Sequence, residues 1–149
     1  MAETSVLNED NTRVIVFHKH PVSAKVLFLK WAHGGVCGFE TLPELANVMD
    51  EVQLDQDKVL THPALVVAWA ERTLGLAEGS MDIEAEYLQK VDVPHGSINV
   101  YLVGIKGHDT PDEQLAAQGG TLGLITTLRG LPPAEMELLR RAYVVIMEG

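Results

Sequence analysis

His18-Lys19-His20 closes a stretch, Arg13 to His20, in which residues alternate in character. Val14, Val16, His18 and His20 fall on one face, and Arg13, Ile15, Phe17 and Lys19 on the other. Strict alternation predicts a strand, and strand rise then sets the two histidines roughly 7 Å apart at their Cα atoms. Two imidazoles at that spacing can converge on one metal ion, with a third ligand drawn from elsewhere. His33, Cys37, His62, His95 and His108 are the residues able to supply it. His18 and His20 are therefore the candidate metal ligands. The competing expectation is a strand end whose imidazoles face solvent. No particular metal or cofactor follows from the residues.

A second group lies in Ala32-His33-Gly34-Gly35-Val36-Cys37-Gly38, which places a base, a nucleophile and three glycines in seven residues. His33 and Cys37 form the candidate catalytic pair. A thiolate at neutral pH needs a cation or a helix N-terminus beside it, and glycines permit a tight loop with amides turned toward a ligand. No cysteine-enzyme signature surrounds the pair and no third orienting group is evident. A lone cysteine is otherwise a small buried hydrophobe.

The remaining candidates carry less. His62 precedes Pro63 at a helix start, where the dipole disfavours a charged imidazole. His95 lies in turn chemistry, and His108-Asp109 are too close in sequence to converge readily. Gly104-Ile105-Lys106-Gly107 has the G-x-x-G form of KH modules, but in a strand-to-turn context rather than between helices. Gly119-Gly120-Thr121-Leu122-Gly123 lacks both the P-loop lysine and the dinucleotide-binding spacing. No Gly-x-Ser-x-Gly, His-Glu-x-x-His or EF-hand loop is present.

Residues 1–11 are polar and aperiodic, a loose lead-in to one domain over 12–149. After the strand at about 13–20, Val22 to His33 fits a helix through Ala24, Leu27, Phe28 and Trp31, and fits a strand pairing back on the first nearly as well. Helix is the slightly favoured expectation. Thr41-Leu42-Pro43-Glu44 is a capping-box pattern, followed by a stripe of Leu45, Val48, Met49 and Val52. A helix from Thr61-His62-Pro63 runs to about Leu74 and stops at Gly75; its apolar girth from Ala64 to Ala70 predicts a central position.

Met81 to Val93 alternates again, with Asp82, Glu84 and Glu86 on an acidic face, and pairs as a hairpin with the apolar run 98–105 across Pro94-His95-Gly96-Ser97. Thr110-Pro111-Asp112-Glu113 opens a short helix closed by Gly119-Gly120. Thr121 to Leu128 fits strand or helix. Pro132-Pro133 starts a C-terminal helix in which Glu137 stands four residues before Arg141. The sum is an α+β domain whose mixed or antiparallel sheet packs against about four helices.

The 149 residues carry 46% hydrophobic residues and a formal charge of -10. A domain of this size buries about 68–70% of its unfolded surface, which needs no staples. The charge opposes a phosphate backbone, so nucleic acid is not an expected partner. Apolar runs are far shorter than the ~20 residues a bilayer demands, so no membrane is expected. One cysteine and no visible secretory signal point to the cytoplasm. The functional expectation is a non-enzymatic protein-binding or regulatory module, acting on a protein partner or as a homo-oligomer. The alternative is a small metal- or thiol-dependent enzyme built on His18, His20, His33 and Cys37.

Overall fold

A computed structural model describes residues 11–38, 40–43, 45–49, 62–94, 96–128 and 130–148. The expected lead-in lies almost wholly outside these residues, as do Glu44, Val52 and His95. The described chain forms β1 (Thr12–Lys19), β2 (Val26–Lys30), β3 (Asn47–Val48), α1 (Pro63–Leu74), β4 (Met81–Val93), β5 (Gly96–Ile105), α2 (Asp112–Ala117), β6 (Thr121–Gly123) and α3 (Pro133–Glu148). A 3-10 turn at Ile125–Thr127 precedes α3.

Six strands make one sheet in the order β3-β4-β5-β1-β2-β6. Every neighbouring pair is antiparallel except β1 and β5, which run parallel with Phe17 beside Gly104. The sheet is thus mixed, one of the two expected forms. Its central strands are apolar on both faces because both are covered. Ile15, Phe28, Val100 and Leu102 face Leu138, Leu139, Ala142 and Ile146 of α3. Val14, Val16, Leu29, Val103 and Ile105 face Val66, Ala70 and Leu74 of α1 and Leu115 of α2.

The described residues hold three α-helices rather than about four. The helix favoured for Val22 to His33 is instead the turn after β1 and strand β2. Ala24 takes φ 59 in that turn, and β2 buries Val26 and Phe28 on one face and Leu29 on the other. A helix at the sheet surface would bury one stripe only, so two-sided burial favours the strand. The capping-box pattern at Thr41 likewise starts no helix among the described residues; Asn47 and Val48 pair with Asp92 and Val91. The stretch from Thr121 divides into β6 and the 3-10 turn.

Helix α1 has the expected bounds. The His62 ring accepts from the Ala64 amide, Pro63 opens the first turn, and Gly75 ends it at φ 71. Its position is not central, however. It lies on the sheet with Ala64, Ala68 and Arg72 exposed, and its apolar girth reads as burial only when no layer order is known. Glu71 is buried and its carboxylate accepts from the Gly79 and Met81 amides, tying the end of α1 to the start of β4.

The hairpin of β4 and β5 carries an irregularity between Ile83 and Leu88. Ile83 stands opposite Val103, yet Leu88 stands opposite Tyr101, so β4 carries three residues in excess there. An odd excess reverses the faces. Met81 and Ile83 therefore pack on the α1 side, and Tyr87, Val91 and Val93 on the α3 side. The acidic row Asp82, Glu84 and Glu86 is interrupted at the same place and does not form one continuous face.

Candidate functional site

The parallel pairing of β1 with β5 delivers both chain segments to the same end of the sheet. At that end β1 runs out through His18 and His20, and β5 runs out through Lys106, Gly107 and His108. His18 is buried, and its Nε2 lies 2.8 Å from the Gly107 carbonyl oxygen. A carbonyl only accepts, so this nitrogen donates and carries the ring proton. His20 accepts at Nδ1 from the amides of Val22 and Ser23, both at 3.2 Å, which shapes the turn into β2. The His18 and His20 ring centroids are 6.5 Å apart, and those of His20 and His108 are 5.8 Å apart. Three imidazoles thus form a row from buried to exposed. Among the described residues, His108 is the member of the expected third-ligand set whose ring lies beside His20.

No group of three or more His, Cys, Asp or Glu side chains among the described residues is placed to hold a metal ion. The row therefore stands as pairs rather than as a three-ligand centre.

His33 and Cys37 occupy a different place. The loop after β2 folds back along β1, where Val14 and Gly38 exchange two backbone hydrogen bonds at 2.8 Å. Trp31 closes the loop by donating from its indole to the Val36 carbonyl. Its ring lies over Gly38 so closely that a Cβ there would fall 2.2 Å from a ring carbon; only glycine fits that approach. His33 is committed within the loop. Its Nδ1 accepts from the Gly35 amide, and its Nε2 donates to the carbonyl of Cys37, not to the sulfur.

Cys37 itself is fully buried in the core under α3. Burial, reinforced by the nearby Glu135 carboxylate and opposed by Arg13, pushes the thiol far above its ordinary range. It stays protonated, whereas a nucleophile needs the thiolate. Glu135, also buried, accepts from the Val36 amide at 2.8 Å and fastens the loop to α3. The His18–His20 end and the His33–Cys37 loop are thus two separate places: Cys37 lies beside the register of Val14, several residues back along β1.

A groove of about 810 Å³ runs between the outer side of α1 and the start of β4, lined by Ala64, Leu65, Ala68, Met81 and Ile83 among others. Of its charged lining groups, Glu71 holds backbone amides and Lys106 pairs with Asp82 at 3.4 Å. An adjoining pocket of about 340 Å³ is lined by His62, Ile83, Tyr87, Leu88 and Tyr101. His62 caps α1 through Nδ1. Neither hollow assembles a nucleophile with a base among the described residues. Neither is visible in the sequence, because each arises from how α1 meets β4.

The face of α3 away from the sheet gathers three of the exposed apolar side chains. Tyr143, Val144 and Met147 are 39%, 51% and 44% exposed, with Arg140 and Glu148 exposed on the same helix. No helix among the described residues is long and apolar enough to cross a membrane. No protein-family model matches the chain, and no curated protein is similar to it in sequence.

Proposed function

We propose that the chain is a non-catalytic protein-binding module of the cytoplasm whose partner is a second copy of itself, docked through the outer face of α3. The observation that supports this reading is the exposed row of Tyr143, Val144 and Met147. A helix packed on a core ordinarily turns polar residues outward. Here the outermost position, Val144, is apolar and flanked by opposite charges.

Arg140 and Glu148 lie four residues before and four after Val144. Two such helices crossing antiparallel at Val144 set each Arg140 against the Glu148 of the other copy. A two-fold interface repeats every contact in this way. Three apolar side chains per copy bury less than the ~1,200 Å² of a standard stable interface. The dimer is accordingly weak and its population follows concentration. The face interrupted by the β4 irregularity, with Asp82, Glu84 and Glu86, contributes nothing to this contact.

A charge-swap series with light scattering tests it. Arg140→Glu and Glu148→Arg each shift association to higher concentration, and the double variant restores it. Single variants that associate like the wild type, or a double variant no better than either single, contradict the pairing.

A further inference from the structure

We infer that His20 and His108 form a two-imidazole site for a divalent late-transition ion such as Ni²⁺, Cu²⁺ or Zn²⁺, clamping the β1–β2 turn to the loop after β5. Imidazole suits these ions, whereas Mg²⁺ and Ca²⁺ require oxygen ligands. The distances select the pair. A metal held about 2.0–2.1 Å from an imidazole nitrogen lies about 3.2 Å from that ring's centroid, so two ligand rings stand about 5.2 Å apart at the tetrahedral angle and at most about 6.4 Å apart. The 5.8 Å separation of His20 and His108 falls inside that range. The 6.5 Å separation of His18 and His20 falls just outside it.

His18 then serves as a positioning residue. Buried and bonded to the Gly107 carbonyl, it fixes the loop that carries His108. His108 is exposed, and its ring stands edge-on to that of His20. Water or an exogenous ligand completes the coordination, and the net charge of -10 favours a cation nearby.

Ligation has a defined local consequence. His20 now accepts two amides at Nδ1, which leaves its proton on Nε2. A metal bound at Nε2 takes the lone pair on that atom, so the ring proton moves to Nδ1 and the Val22 and Ser23 amides lose their acceptor. Their donors pass to water, since the turn is exposed. Metal binding and this turn's present hydrogen bonds exclude each other.

The experiment is a titration of tag-free protein with Ni²⁺, followed by calorimetry and by amide NMR with Zn²⁺ as the diamagnetic ion. The expected result is saturable binding of one ion that Mg²⁺ does not reproduce, with Val22 and Ser23 amides exchanging faster in the Zn²⁺ form. His108→Ala, at an exposed position, weakens binding by at least about tenfold, since even residues that merely orient a ligand cost 10–100-fold. His62→Asn, which keeps a helix-capping oxygen, leaves affinity unchanged. Absence of saturable binding, an unchanged affinity in His108→Ala, or unmoved Val22 and Ser23 amides in the bound form overturns the assignment.

Discussion

The Tyr87 hydroxyl donates to the Leu138 carbonyl at 3.0 Å, joining the strand to the helix just where β4 changes face. Tyr87 is the residue that brings β4 back into the α3 core after its three-residue excess. The bond gives a buried hydroxyl its partner and ties the irregular segment to the most continuous helix of the fold. Tyr87→Phe keeps the ring and removes the bond, so it costs about 0.5–1.5 kcal/mol. Tyr87→Ala leaves a ring-sized cavity and costs about 3–5 kcal/mol, a range drawn from Phe and Trp truncations. Urea unfolding of both variants measures the difference; equal losses would show that the hydroxyl, not the ring, sets the cost.

The elements that could be read from sequence are those whose pattern has one interpretation. β1 alternates over eight residues, α1 is bracketed by Pro63 and Gly75, and α3 begins at its proline pair. β2 was ambiguous because Ala24, Leu27, Phe28 and Trp31 satisfy helical spacing while Val26, Phe28 and Leu29 satisfy a strand covered on both sides. Only the layer on each face of the sheet decides between them. The reversal in β4 was hidden for the same reason: with helices on both sides, apolar residues suit either face. The closeness of His18 and His20 was legible, although β1 ends at Lys19 and His20 already belongs to the turn. His108 could be named only as one of five candidates, because its proximity depends on β1 running parallel to β5, and a parallel pairing leaves no local signal in the chain.

The burial of Cys37 makes its thiol a reporter of unfolding. Its thiol is buried and held protonated, so a thiol reagent at neutral pH modifies the native protein only through opening of the loop under α3. Labelling in native buffer is expected to be slow and to accelerate in step with unfolding as urea rises. Rapid stoichiometric labelling of the native protein at pH 7 would mean the thiol is reachable as a nucleophile.

Arg141 links α3 to the sheet edge. It donates to Glu137 at 2.9 Å, to the Met49 carbonyl at 2.7 Å and to the Gln89 side chain at 2.8 Å. The hydrogen bond from Arg141 is the main cause holding the Glu137 carboxyl below its usual range, with partial desolvation opposing it and the charges of Arg141 and Arg140 adding to it. A lowered folded-state value means the contribution is complete above the ordinary carboxylate range and is lost as pH falls through the Glu137 value. Glu137 is substantially exposed, so the pair supplies no more than about 0.3–0.5 kcal/mol. Arg141→Ala is therefore more destabilising at pH 7 than at acid pH. The difference does not vanish in acid, because the bonds to Met49 and Gln89 do not titrate. Stability curves of both proteins across pH check the sign; a loss that grew as pH fell would reverse it.

Sedimentation velocity of the wild type and of Val144→Glu over a wide concentration series tests the α3 dimer directly. Val144 is half exposed on the outside of α3, so the variant keeps its fold, which circular dichroism verifies. The expected result is that the wild type sediments faster as concentration rises toward a dimer, while Val144→Glu remains a monomer throughout. A wild type that stays monomeric at every concentration, or a variant that dimerises like the wild type, would contradict it.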